Sequence, residues 1–226
     1  MAANRSARSG RARSVNAVRG PREALLRTVS AEVHDERVID AFRRVAREDF
    51  VPPGREAEAY QDRPVPLPHR QTTSQPSLIA RMVEAAEVGP RDRVLEIGTG
   101  YGFQTALLAL LGRDVVSVER YPELADAARA NLLRAGLTNV EVHVGDGWEG
   151  WPDSAPYDAI VVSAAAEEMP KPLVAQLRNG GRLVVPLTRG RSDDVVVFHK
   201  DDNGVTRERL ITPARFVPLV HGRPDV

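Results

Sequence analysis

The chain has 226 residues, 42% of them hydrophobic, with 31 basic and 31 acidic side chains and a formal net charge of zero. That length supports one sizeable core, and the balanced charge leaves no whole-molecule electrostatic case for nucleic acid. The absence of cysteine excludes disulfides, a thiol nucleophile and a thiolate metal site.

No stretch approaches the roughly 18 consecutive apolar residues of a membrane span, and the first residues lack the apolar run of a secretory signal. A soluble, cytoplasmic protein is therefore expected, working as a monomer. His34, His69, His143, His199 and His221 show no ligand spacing, so no metal centre is expected.

Residues 1–20 carry Arg5, Arg8, Arg11, Arg13 and Arg19 with no acid and almost no large apolar side chain, the composition of a disordered basic tail. Residues 21–226 are expected to form a single domain in three stretches: 21–89, 90–187 and 188–226. Helical spacing of Val38, Ala41, Phe42 and Val45, with Asp35 as N-cap, predicts a helical preface up to about Arg47. The Pro-rich segment that follows predicts an extended or looped connection. Residues 69–89, HRQTTSQPSLIARMVEAAEVG, then place Thr72, Thr73 and Ser74 ahead of an amphipathic helix with Leu78, Ile79, Met82, Val83 and Ala86 on one face. Hydroxyls before a helix are ordinary capping residues. They also suit a loop that faces a ligand, and the local pattern leaves both readings open.

After Pro90, short apolar runs alternate with helical patterns, the signature of a parallel sheet covered by helices. Strands are expected at 93–97, 114–119, 140–144, 158–163 and 182–187, and helices at about 102–111, 122–135 and 170–177. Two further strands, around 194–200 and 208–220, are joined through Asn203-Gly204, a strong hairpin signal. The expected fold is α/β and Rossmann-like: a mostly parallel, doubly wound sheet with an antiparallel C-terminal edge and an N-terminal helical preface.

The first strand of that sheet runs into EIGTGYG, with Gly98, Gly100 and Gly102 at alternate positions and a helix beginning at once. Such glycines let the backbone turn sharply and approach a ligand, while the helix start offers N–H groups. Glu119 closes the next strand, where it can accept hydrogen bonds from two ribose hydroxyls. The spacing is G-x-G-x-G and not the dinucleotide G-x-G-x-x-G. Glu96, two residues earlier, sits poorly beside a pyrophosphate but suits the cationic amino acid end of S-adenosylmethionine.

This pattern resembles class I methyltransferases, in which an acid in the position of Asp146 contacts the adenine. The stretches AYQDRPVPLPHRQTTSQPSLIARMVEA, VLEIGTGYGFQTALLALLG, GDGWEGWPDSAPYDAIVVSAAA, LVAQLRNGGRLVVPL and RFVPLV together resemble the protein-L-isoaspartate O-methyltransferase family over roughly residues 35–220. The resemblance implies S-adenosyl-L-methionine as cofactor, isoaspartyl proteins or peptides as substrate, and methylation of an α-carboxylate that starts repair through a succinimide. It makes Ser74 the active-site residue, with Gln71, Thr73 and Arg70 on the substrate. Glu96, Gly98, Thr99, Gly100, Gly102, Glu119, Arg120, Asp146 and Gly147 would hold the cofactor. Where the family usually flanks the loop histidine with glycines, this chain has Pro68-His69-Arg70, which stiffens the loop and sets a cation near the expected carboxylate. The alternatives are a relative that methylates an aspartate of a dedicated peptide or a small-molecule carboxylate, and a catalytically silent binding module.

Overall fold

The computed structural model describes residues 20–222. The expected basic tail therefore falls, up to residue 19, outside the described residues, while Gly20 already belongs to a helical run over 20–32, α1. The preface continues with α2, Glu36–Arg44, whose start is capped as expected: an Asp35 carboxylate oxygen accepts from the Arg37 N–H at 2.9 Å. Its apolar face buries Val38, Ile39, Ala41 and Phe42.

The Pro-rich segment, expected as an extended or looped connection, carries a short extended piece. It contains β1, Val65–Pro66, paired antiparallel with β2, Thr72–Thr73, so that Val65 faces Thr73. Proline is tolerated in so short a ribbon because the lost donor lies at an edge. The ribbon turns through Pro68–Arg70, with His69 at φ 56° and Arg70 at φ 58°. These left-handed conformations are the ones glycine adopts without steric cost. The amphipathic helix follows as α3, Pro76–Ala85.

In the seven-stranded sheet β3 (Arg93–Ile97) has β4 (Asp114–Glu119) and β5 (Val140–Val144) on one side and β6 (Tyr157–Val162), β7 (Leu177–Arg189), β8 (Ser192–Asp201) and β9 (Gly204–Ala214) on the other. The pairs from β5 to β7 are parallel, and β8 and β9 close the sheet antiparallel. The inner strands β3, β4 and β6 are mostly β-branched and aliphatic because both of their faces are covered, whereas the edge strand β5 buries only Val142. Alternate positions along β3 show this: Val94 belongs to the core under α2–α5, while Leu95 and Ile97 belong to the core under α6 (Lys171–Gln176) and the Trp148–Trp151 loop. Between the strands run α4, Phe103–Leu111, and α5, Pro122–Arg134.

Two boundaries move furthest from the sequence expectation. The fifth parallel strand starts at Leu177, not Arg182, because the register against β6 shifts between Tyr157 and Ala159 and admits the extra residues. The last strand ends at Ala214, short of 220. Beyond it, the Val217 carbonyl accepts from Ala165 N–H at 2.8 Å and Leu219 N–H donates to Ala165 O at 2.7 Å, tying the chain end to the loop after β6.

Candidate active site

Because β4 lies on one side of β3 and β6 on the other, the chain changes direction at β3, and the crevice outside the carboxyl ends of β3 and β6 is where open α/β sheets bind ligands. A cavity of about 870 Å³, counted with its open mouth, occupies this crevice. Its floor is formed by Gly98 and Gly100 of the glycine turn, in which Gly98, Gly100 and Gly102 have φ 89°, 55° and 90°. Gly102 is the N-cap of α4 rather than its first residue. The turn is pinned to the end of the next strand: Gly98 N–H donates to Val118 O at 2.9 Å, and Gly100 N–H to the Glu119 carboxylate at 2.9 Å. The other Glu119 oxygen accepts from Tyr121 N–H at 3.1 Å. Burial pushes the Glu119 carboxyl above its ordinary range, against the lowering by these backbone donors. Each oxygen retains acceptor capacity toward the cavity, which suits a vicinal diol.

The roof is the segment that carries the hydroxyls. Leu67, Gln71, Thr72, Thr73 and Ser74 line the cavity opposite the glycine turn. The tip of the loop is fastened across the crevice, where the His69 ring stacks on Tyr121 with centroids 4.3 Å apart and His69 Nε2 lies 3.0 Å from Glu123 Oε2. A second cavity, about 890 Å³ with its mouth, adjoins the first. It is bounded by Gln75, Ser77, Leu78 and Arg81 on one side and by residues 212–217 on the other. Thr72, Ser74, Ser163 and Val217 line both cavities.

Capping of α3 does not involve Ser74. The N-cap position is Gln75, without a side-chain cap bond of its own. The cap comes from the Pro-rich segment: Asp62 accepts from Ser77 N–H at 2.9 Å and from Gln75 Nε2 at 3.0 Å. The Ser74 hydroxyl makes no hydrogen bond among the described residues, and Ser74 lines both cavities.

Of the residues expected at the site, Ser74, Gln71, Thr73, Gly98, Thr99, Gly100, Glu119, Arg120 and Gly147 line the main cavity. Gly147 is required by close approach, since a Cβ there would lie 2.4 Å from Ile97 Cγ2. Four expected residues lie elsewhere. Glu96 lines neither cavity: it is fully buried beneath the turn, accepting from Thr105 Oγ1 at 2.5 Å, Ser117 Oγ at 2.6 Å and Gln104 Nε2 at 3.0 Å. Burial raises its pKa to about 7, against the lowering by these three donors. Gly102 caps α4 with its missing side chain against Leu132 and Ala128. Asp146 accepts from Trp148 N–H at 2.9 Å and Gly222 N–H at 2.6 Å, and pairs with His221 Nδ1 at 3.1 Å. Arg70 is exposed on the left-handed turn and lines neither cavity.

His221, Asp146 and Glu149 also converge, with ligand atoms within 4.8 Å of one another, although their spacing along the chain gives no sign of it. Sequence reasoning missed other wall residues as well. Phe50 and Phe103 lie beneath the roof, Ser163 at the end of β6 accepts from Gln104 Nε2 at 2.9 Å, and residues 217–220 close the side. The signal for Ser163 was its position one residue past the end of a central strand, where ligands collect.

A parallel sheet with this glycine turn at its switch point, an acid closing the adjacent strand and an antiparallel C-terminal edge defines a Rossmann-like class I methyltransferase. The family model of Protein-L-isoaspartate(D-aspartate) O-methyltransferase (PCMT) matches residues 21–224, and the chain belongs to that family. It is 52% identical over 188 residues to a protein-L-isoaspartate O-methyltransferase of Methanoculleus marisnigri, covering 83% of this chain and 85% of that one. A solved protein-L-isoaspartate O-methyltransferase superposes with a TM-score of 0.78 at 32% identity, over 87% of this chain and 65% of that chain, just under two thirds of its length. A beta-aspartate methyltransferase (PCMT) structure from Plasmodium falciparum, in complex with S-adenosyl-L-homocysteine, superposes at 0.75 over 87% of this chain and 97% of that one; at 22% identity it speaks for the fold alone.

Proposed function

We propose that this chain transfers a methyl group from S-adenosyl-L-methionine to the α-carboxylate of L-isoaspartyl residues in damaged proteins and peptides, starting their repair. The observation that carries this reading is Ser74: an uncommitted hydroxyl at the point where a cofactor-sized crevice opens into a second cavity. Membership of the family and the match to its named relatives support it. We propose that it acts as a monomer, and no helix among the described residues is long and apolar enough to cross a membrane. We place the activity in the cytoplasm on the composition of the chain.

The crevice fits the cofactor on its own geometry. Glu119 offers two acceptor oxygens at the end of β4, the glycine turn lets the ligand approach the backbone, and the buried Arg120 Nε has no partner among the described residues. Gly98, Thr99, Gly100 and Gly147 would line the cofactor, and Glu119 would hold its ribose. When bound, S-adenosylmethionine supplies an electrophilic methyl group on a sulfonium. Asp146, beside the C-terminal residues 221–222, would complete the adenine end, and Glu96 would act from beneath by fixing Gln104 and Thr105 at the start of α4.

The chain's own work is to place the acceptor. An isoaspartyl α-carboxylate has a pKa of about 3.5, so it is ionised at neutral pH and needs no general base. Ser74, with Gln71 and Thr73 beside it, would donate hydrogen bonds that aim one carboxylate oxygen into the crevice. Such alignment supplies a large share of the rate, of order 7 kcal/mol or more in favourable systems. A neutral hydroxyl suits the task because a cation in direct contact would hold the oxygen's electrons back. The methyl ester then closes to a succinimide without the enzyme, and hydrolysis returns part of it as normal aspartate.

The test is transfer of labelled methyl to an isoaspartyl peptide and to its normal aspartyl twin. The proposal expects strong transfer to the first and little to the second. Equal transfer to both, or transfer to neither, would reject it.

A further inference from the structure

Beneath the roof of the site lies Arg47, at the start of a short 3₁₀ turn, Arg47–Phe50, and only 1% exposed. Its Nη1 donates to Ala59 O at 2.7 Å, while Nη2 donates to Thr73 Oγ1 at 3.2 Å and Ser74 O at 3.0 Å. The guanidinium carbon lies 5.3 Å from the centroid of the Phe103 ring, and Nε has no partner among the described residues. Every acceptor it contacts is neutral. Asp62 and Tyr60 are the charged or titratable groups that bear on it. Asp62 already accepts from Ser77 N–H and Gln75 Nε2, and Arg47 makes no ion pair with it or any other acid among the described residues. Tyr60 holds its proton, its pKa raised by burial and by its hydrogen bond to Glu48.

A buried cation with no acid in direct contact is a costly placement in a protein, and Asp62 acts on Arg47 only through its field. Three neutral oxygens do not call for it, since an uncharged amide donor would serve them with far less desolvation. Burial lowers the Arg47 pKa only to about 10, so the group remains cationic at neutral pH.

We propose that Arg47 is a positioning residue whose buried, unpaired charge draws the acceptor carboxylate onto Ser74, acting through the roof it pins. It lines neither cavity, so Thr73 and Ser74 stand between it and the substrate. Its field therefore favours binding of an anion without the direct contact that would quench the attacking oxygen. The inference rests on the proposed methyl transfer.

The experiment compares dissociation constants for an isoaspartyl peptide and for the same peptide with its α-carboxylate replaced by the neutral amide. It uses wild type, Arg47→Met, Arg47→Gln and Arg47→Lys, each in the presence of S-adenosylhomocysteine, with melting curves and transfer assays alongside. Wild type should prefer the carboxylate by at least tenfold, the scale on which unit charges interact near a protein surface. The Met and Gln variants should lose most of that preference, whatever loosening the roof does to amide-peptide affinity, and Lys should keep it within about threefold. A merely structural role weakens both peptides equally and leaves the preference intact, which would overturn the proposal. So would a wild type that binds both peptides alike, a measurement that needs no variant to fold. Loss of S-adenosylhomocysteine affinity with an unchanged carboxylate preference would assign the charge to the cofactor and equally overturn it. Failure of the underlying reading shows separately, as wild type that binds the peptide but transfers no methyl.

Discussion

Replacing Ser74 by alanine separates a substrate-facing hydroxyl from a helix cap, and the structure sets the size of each effect. The Ser74 hydroxyl has no partner among the described residues, whereas Asp62 holds the start of α3 through Ser77 N–H and Gln75 Nε2. Ser74→Ala should therefore change stability by less than about 0.5 kcal/mol, the range of substitutions that remove no packed or bonded group. Asp62→Ala should cost about 1 kcal/mol or more as a lost cap, and at this chain length that lowers the melting temperature by roughly 2–4 °C. On turnover the order reverses. A hydrogen bond to a charged acceptor contributes about 1.5–3 kcal/mol, so Ser74→Ala should slow methyl transfer roughly 10- to 150-fold at unchanged affinity for S-adenosylhomocysteine, since the bond acts on the acceptor. The assay is steady-state transfer to an isoaspartyl peptide, with calorimetry for the cofactor product and melting curves on both variants. A Ser74→Ala protein that melts lower and transfers normally would refute the reasoning and return the hydroxyl to local structure.

Three further outcomes follow from named contacts. Glu119→Ala removes both acceptor oxygens at the end of β4 and should weaken S-adenosylhomocysteine binding at least tenfold by calorimetry; equal affinity would take Glu119 out of the ribose role. Tyr121→Ala removes the ring on which His69 stacks, an interaction on the scale of 0.5–1.5 kcal/mol, and should speed release of S-adenosylhomocysteine about 2- to 10-fold in stopped flow. Glu96 has its folded pKa raised from 4.5 to about 7, so the folded state binds the extra proton and the stability contributed by this group is lost as pH climbs across that window. Glu96→Gln should flatten this dependence, melting higher than wild type at pH 8 and losing the advantage near pH 5; an unchanged gap between the two proteins across that range would reject the assignment.

The elements that could be read from the chain are those whose cause is local. A parallel strand buried on both faces is mostly a short β-branched or aliphatic run, and RVLEI and DVVSVE fall on β3 and β4 residue for residue; VEVHV on the edge strand β5 does so with period-2 alternation. The Asn203-Gly204 turn and the Asp35 cap are likewise set by their own residues. What escaped was set at a distance. The acid that caps α3 lies 15 residues upstream of the N–H it satisfies. Arg47 reaches across 26 and 27 residues to Thr73 and Ser74, and nothing in AREDF distinguishes it from an exposed arginine. Glu96 was placed by the company of its glycines, but strand alternation governs instead and turns it under the α4 start, where three donors satisfy it.

The departure at Pro68-His69-Arg70 shows how such distant constraints shape the site. Two consecutive left-handed residues with side chains cost on the order of 1–2 kcal/mol each, and a proline ahead of them narrows the alternatives further. That conformation persists because the turn is held at both ends: the Gln71 carbonyl accepts from Leu67 N–H at 2.8 Å, and His69 lies flat on Tyr121 beside Glu123. The same turn directs Arg70 outward and leaves Gln71, Thr73 and Ser74 facing inward. Residues that look like an added cation at the substrate therefore work as a clasp. The exposed Arg70 charge stays out of both cavities, while the buried Arg47 is bonded to the roof from behind, through Thr73 and Ser74.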